Sequence, residues 1–184
     1  KDRHYLEQLD AAVIAANHIS LADMFIVAAT MRVPYRVLGK VELKKIPVMN
    51  WFFTKCLVFV NRSDPESRRR SVQELKKVVD QGVSILIFPE GTRNTTPHPL
   101  KRFYDGAFRI AVETGLPVVP MVLLDVDKVY SEDEKVMRPH TITCRFLPPV
   151  PSDVDTLDNL ESYKQKVYQQ MEEAIYAYRE EKAK

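Results

Sequence analysis

The chain has 184 residues, 45% of them apolar, which is enough to fill the core of one domain. Its 27 basic and 25 acidic residues leave a formal charge of only +2, and no nucleic-acid-binding motif is present, so nucleic acid is excluded as a partner. Two cysteines, Cys56 and Cys144, read as free thiols of a reducing compartment, not as a disulfide framework.

In chain order, residues 11–16 are an unbroken Ala, Val and Ile run and predict a buried strand. Residues 21–32 predict a helix ended near Pro34, and 35–38 a short strand leading to Gly39. Leu57–Val60 is a further strand; Ser63 or Asp64 then caps a helix with Pro65 in its first turn, running to Gly82. Its apolar stripe is Val72, Leu75, Val78 and Val79. Arg68, Arg69, Arg70, Lys76 and Lys77 lie mainly elsewhere, on a solvated face or a face for anionic lipid. A strand over 83–87 ends at Pro89, a helix over 107–114 is closed by Gly115, and strands follow at Val118–Leu124 and 141–147. Pro148, Pro149 and Pro151 form a rigid passage to an amphipathic helix at about 157–181, striped by Leu157, Leu160, Tyr163, Val167, Met171, Ile175 and Tyr178. The alternation predicts an α/β fold: a mixed, mostly parallel sheet covered by helices, in one domain over residues 1–184.

No segment reaches the roughly 20 apolar residues of a membrane span. Residues 46–60 come nearest, interrupted by Asn50 and Lys55, and Trp51-Phe52-Phe53 suits the lipid interface. A core helix followed by a strand explains the same residues, and one face can pack while the other touches lipid.

The chemistry gathers at two strand ends. Asn17-His18-Ile19-Ser20-Leu21-Ala22-Asp23 follows the first strand, where open α/β sheets place their sites. Asp23 can fix the imidazole tautomer of His18 and leave its other nitrogen to accept a proton, although Asp23 can equally cap a helix. Phe88-Pro89-Glu90-Gly91-Thr92-Arg93 follows a strand expected beside the first; Arg93 suits a phosphate or carboxylate, or it pairs with Glu90. A hydrolase would need a nucleophile, and Ser20 sits too early in the turn while no Gly-x-Ser-x-Gly elbow exists. A third metal ligand is lacking at sensible spacing from His18 and Asp23, so no metal is expected. His4, His98 and His140 have no acidic partner at a telling distance in sequence. The missing nucleophile points to one supplied by a substrate.

These segments resemble the glycerolipid acyltransferases, the family of 1-acylglycerol-3-phosphate acyltransferases. NHISLAD and FPEGTRN stand where that family has NHxxxxD and FPEGTR. Gly39-Lys40-Val41-Glu42-Leu43 with Phe59-Val60-Asn61-Arg62 is similar to its second motif, and Leu116-Pro117-Val118-Val119-Pro120 to its fourth, so the motif-bearing core covers about 11–125. The resemblance implies acyl transfer from a thioester to a hydroxyl without an acyl-enzyme. His18 is then the base and Asp23 its orienter, while Arg62, Glu90, Gly91, Thr92 and Arg93 bind or position a phosphate-bearing acceptor, and Lys40 either reaches that phosphate or stays on the surface. It implies a lysophospholipid acceptor, with lysophosphatidic acid favoured by Arg62 and Arg93. Another lysophospholipid, an acylated amino-acid lipid and a non-catalytic lipid-binding module are the alternatives. The donor is acyl-CoA or acyl-acyl-carrier protein, with no bound cofactor, and the expected place is a membrane surface on the cytoplasmic face. Family members often carry N-terminal membrane helices, and only ten residues precede Ala11, so a trimmed domain is expected. The chain departs from the family pattern at Asn50, Asn61 and Asp105, with Lys101 and Arg102 shifted upstream.

Overall fold

The computed structural model describes residues 1–20, 22–40, 57–60, 65–131, 136–152 and 158–183. In chain order they form α1 (His4–Glu7), β1 (Val13–Ala16), α2 (Asp23–Thr30), β2 (Tyr35–Lys40), β3 (Leu57–Val60), α3 (Pro65–Val79) and β4 (Ser84–Ile87). There follow α4 (Gly106–Thr114), β5 (Val118–Leu124), α5 (Val126–Val129), β6 (Tyr130–Ser131), β7 (Val136–Met137), β8 (Thr143–Phe146) and α6 (Leu160–Ala183). Outside the described residues lie Glu42, the 46–56 segment with its aromatic cluster, Arg62, the Ser63–Asp64 cap and Leu157.

Six strands make one sheet in the order β3-β2-β4-β1-β5-β8, and β6 with β7 makes a separate ribbon. The first five run parallel and β8 closes the edge antiparallel to β5, which is the predicted mixed, mostly parallel sheet. Parallel neighbours need long crossovers, and α2, α3 and α4 supply them between successive strands.

Both faces of the sheet are covered, which is why β1 reads as a continuous apolar run. Val13 and Ala15 join a cluster with Leu75 of α3, Phe108 of α4 and the α6 stripe from Tyr163 to Tyr178. Ala12, Ile14 and Ala16 face the opposite side, toward the cluster containing Leu6 of α1, Val27 of α2 and Val126 of α5. Arg70, Lys76 and Lys77 of α3 are exposed while Leu75 is buried, as its sequence stripe predicts. Gly115 ends α4 at φ +69°, and the N–H groups of Gly115 and Leu116 close the last turn on Val112 and Ala111. Strand β2 runs beyond the predicted limit, through Gly39 to Lys40. The short α1, α5 and β6–β7 ribbon have no predicted counterpart, because two to four residues cannot display a period. Among the described residues, no helix is long and apolar enough to cross a membrane.

Candidate active site

Strands β1 and β4 are parallel neighbours with Ala15 level with Ile87, so the segments that follow them emerge at one edge of the sheet. Open parallel sheets use this carboxyl edge for ligands. It also joins the two motif segments, which lie far apart in sequence. Asn17 directs the first of them. Its buried Nδ2 donates to the Leu123 carbonyl at 3.0 Å, and the Leu123 N–H donates to its Oδ1 at 2.7 Å. This side-chain rung extends the β1–β5 ladder and fixes the direction in which His18 leaves the sheet.

His18 Nδ1 lies 2.7 Å from Asp23 Oδ2, and the same oxygen accepts the N–H groups of Ile19 at 2.7 Å and Ser20 at 2.9 Å. A carboxylate that only accepts places the imidazole proton on Nδ1 and leaves the Nε2 lone pair for a base's work. Asp23 is 0% exposed, and the N-terminal turn of α2 favours its negative charge. It does not cap α2: Ala22 holds the cap position, and the carboxylate turns back onto the preceding loop. Its Oδ1 is buried without a hydrogen-bond partner among the described residues. The His18 ring stacks on Phe88 at a centroid distance of 4.4 Å and retains 20% side-chain exposure. Ser20, the residue weighed as a nucleophile, is buried, and its Oγ accepts the Ala22 N–H at 3.2 Å.

Glu90, only 1% exposed, joins the second motif to the first. Its Oε1 accepts the His18 N–H at 2.8 Å and its Oε2 the Lys101 N–H at 2.9 Å. Burial pushes its carboxyl above the usual carboxylate range, partly offset by these two N–H groups and by the nearby charge of His18 and Lys101. Each of its oxygens thus holds a backbone N–H group. Gly91 turns the chain at φ +69°, a conformation that strains a residue bearing a Cβ. The Asn94 N–H then donates to the His18 carbonyl at 2.6 Å, and the Tyr104 N–H to the Pro89 carbonyl at 2.8 Å. Thr92 is exposed, with its hydroxyl accepting from Lys101 Nζ at 2.9 Å; Arg93 is half-buried. Lys40 ends β2, which runs parallel beside β4, and so reaches the same edge. Arg62 lies outside the described residues.

The sequence motifs therefore converge at His18, Asp23, Glu90, Gly91 and Thr92. Sequence reasoning misses the bracing roles of Asn17 and Phe88 and the approach of Lys101. The first two open the NHISLAD and FPEGTRN motifs and so were findable. Lys101 is brought in by a loop whose course no local pattern encodes.

The fold and site define an α/β protein that carries a carboxylate-oriented histidine at the carboxyl edge of a parallel sheet. The chain belongs to the Acyltransferase family, whose model matches residues 1–124. It is 28% identical over 159 residues to a 1-acyl-sn-glycerol-3-phosphate acyltransferase of Limnanthes douglasii, covering 85% of this chain and 56% of that relative. It is 30% identical over 167 residues to the enzyme of the same name from Cocos nucifera, covering 90% of this chain and 52% of the relative. The chain thus spans little more than half the length of these relatives. Its fold is similar to the crystal structure of the 1-acyl-sn-glycerophosphate (LPA) acyltransferase PlsC from Thermotoga maritima. The TM-score is 0.68 at 25% identity, covering 92% of this chain and 70% of that one.

Proposed function

We propose that this chain, acting as one domain, transfers a fatty acyl group from an acyl thioester to the free hydroxyl of lysophosphatidic acid, giving phosphatidic acid. The observation that carries the proposal is the 2.7 Å contact between His18 Nδ1 and the buried Asp23, at the strand end that also holds the Glu90 loop. The names of the relatives support the choice of acceptor.

His18 Nε2 takes the proton of the acceptor hydroxyl as its oxygen attacks the thioester carbonyl. The tetrahedral intermediate collapses and expels the thiolate, which recovers the proton from the imidazolium. Asp23 keeps the proton-accepting tautomer and stabilises the imidazolium between the two transfers. Attack by the substrate's own oxygen needs no enzyme nucleophile. Proximity and proton abstraction supply the rate, and a thiol is a good leaving group. Glu90 serves by positioning the His18 and Lys101 backbone, while Lys40, Arg62, Gly91, Thr92 and Arg93 are the residues that the family motifs assign to the acceptor phosphate. The donor is acyl-CoA or acyl-acyl-carrier protein, and the reaction proceeds at the cytoplasmic face of a membrane, with no resident cofactor or metal.

The test is thiol release from a long-chain acyl-CoA in detergent micelles, with and without lysophosphatidic acid. Release that requires the acceptor supports the proposal. Equal release without it identifies a thioesterase and refutes the acceptor's role.

A further inference from the structure

Segment 100–105 leads from the Glu90 loop to α4 and is held from both sides. On the site side, the Lys101 N–H binds Glu90 Oε2 at 2.9 Å and the Tyr104 N–H binds the Pro89 carbonyl at 2.8 Å. On the other side stands α6. The Tyr168 hydroxyl lies 3.5 Å from the Leu100 carbonyl and 3.4 Å from Glu172 Oε1, and the Phe103 ring meets the Tyr168 ring edge-on at 5.1 Å. The buried Lys164 binds Asp105 Oδ1 at 2.8 Å and also pairs with Glu161. Segment 100–105 is therefore a fixed platform.

Lys101 is the cation this platform presents to the site. Its ammonium donates to Thr92 Oγ1 at 2.9 Å, and among the described residues no carboxylate pairs with it. Lys164 differs, since Asp105 and Glu161 take up its charge. Of the neighbouring acids, Asp105 is engaged by Lys164, and Glu90, whose carboxyl feels the Lys101 charge, makes its hydrogen bonds to backbone N–H groups and not to the ammonium. An ammonium has three donors, and one bond to a hydroxyl leaves two for an anion. The Glu90 side-chain carboxylate ties the Lys101 backbone to the His18 backbone, and the Lys101 ammonium meets the Thr92 hydroxyl in the loop that follows Glu90.

Resting on the acyl-transfer reading, we propose that Lys101 is a ligand for a phosphate ester bound at the Thr92–Arg93 loop. Phosphate of this chemistry is carried by the lysophosphatidic acid acceptor and by the coenzyme A donor.

The test is equilibrium binding on a His18→Ala background, where no turnover intervenes. Short-chain lysophosphatidic acid, the matched monoacylglycerol and coenzyme A are titrated into proteins with Lys101, Lys101→Ala or Lys101→Arg, with thermal unfolding as a check on the fold. Lys101→Ala is expected to weaken lysophosphatidic acid at least about tenfold, the loss of one charge-assisted hydrogen bond. Monoacylglycerol binding stays unchanged, and Lys101→Arg recovers part of the loss. A loss confined to coenzyme A supports the anion site and assigns it to the donor. Equal losses for lysophosphatidic acid and monoacylglycerol, or no loss for either phosphate ligand, overturn the proposal. If the wild type transfers no acyl group but the phosphate-specific loss is seen, the reaction assignment fails and the anion site stands.

Discussion

Glu90→Gln is nearly isosteric, yet the geometry makes it costly. Each carboxylate oxygen of Glu90 accepts one backbone N–H, from His18 at 2.8 Å and from Lys101 at 2.9 Å. An amide has a single oxygen, so whichever way Gln is turned its NH₂ faces one of the two N–H groups. One backbone donor is then stranded in a buried site, costing about 1–3 kcal/mol. Relief of the buried charge acts in the opposite sense but restores no acceptor. For a domain of this size each kcal/mol lowers Tm by roughly 2–4 °C, so a calorimetric drop of about 2–12 °C is expected. The turnover number should fall as well, because the displaced amide is that of His18 itself. The pH dependence has a definite sign. The folded state raises the carboxyl pKa of Glu90, so its contribution to stability is greatest below the ordinary carboxylate range and declines as pH rises through the elevated value. That declining slope should be absent from the Gln variant. A variant with wild-type Tm and turnover, or one more stable at neutral pH, would refute the bridging role.

Asp23→Asn should keep the fold: its amide oxygen takes the Oδ2 position, where His18 Nδ1–H and the Ile19 and Ser20 N–H groups donate, so the tautomer is kept while the negative charge that stabilises the imidazolium is lost. Acyl-transfer kcat is then expected to fall by at least about tenfold, and an unchanged kcat would contradict the electrostatic role of Asp23. Asn17→Ala strands the buried N–H and C=O of Leu123 and should cost about 1–3 kcal/mol in urea unfolding. Lys164→Met bears on the acid limb. The hydrogen bond from Lys164 holds the Asp105 carboxyl below its ordinary value, so the stability it lends is present above that value and is lost as pH falls through the lowered one. Melting curves collected between about pH 5 and pH 2 should show a shallower loss in the Met variant, and an unchanged slope would rule out the coupling.

Much of this architecture is legible in the residues. The apolar 11–16 run belongs to a strand buried on both faces, and the long C-terminal stripe is buried from Tyr163 to Tyr178 along one side of α6. Periodicity encodes these because each residue's burial follows from its own element. The site was legible to the extent that it follows strand ends: Asn17-His18 after β1 and Glu90 after β4, joined once those strands pair. What stayed hidden depends on loop closure. Glu90 reads from sequence as a group facing a ligand, yet its carboxylate grips the protein's own backbone. Lys164 sits in α6 as one charged residue among many, and only the packing of α6 against segment 100–105 shows why it is buried. Phe88 looks like a strand residue, and its stacking on His18 needs the register of β1 with β4.

The central claim is that His18 removes the acceptor's proton, and a comparison of acceptor-dependent thiol release by the wild type and by His18→Ala at matched folded concentration tests it most directly. The account predicts a fall of at least about a hundredfold, with unfolding curves that coincide within error. Turnover that persists in His18→Ala would contradict it and require another base.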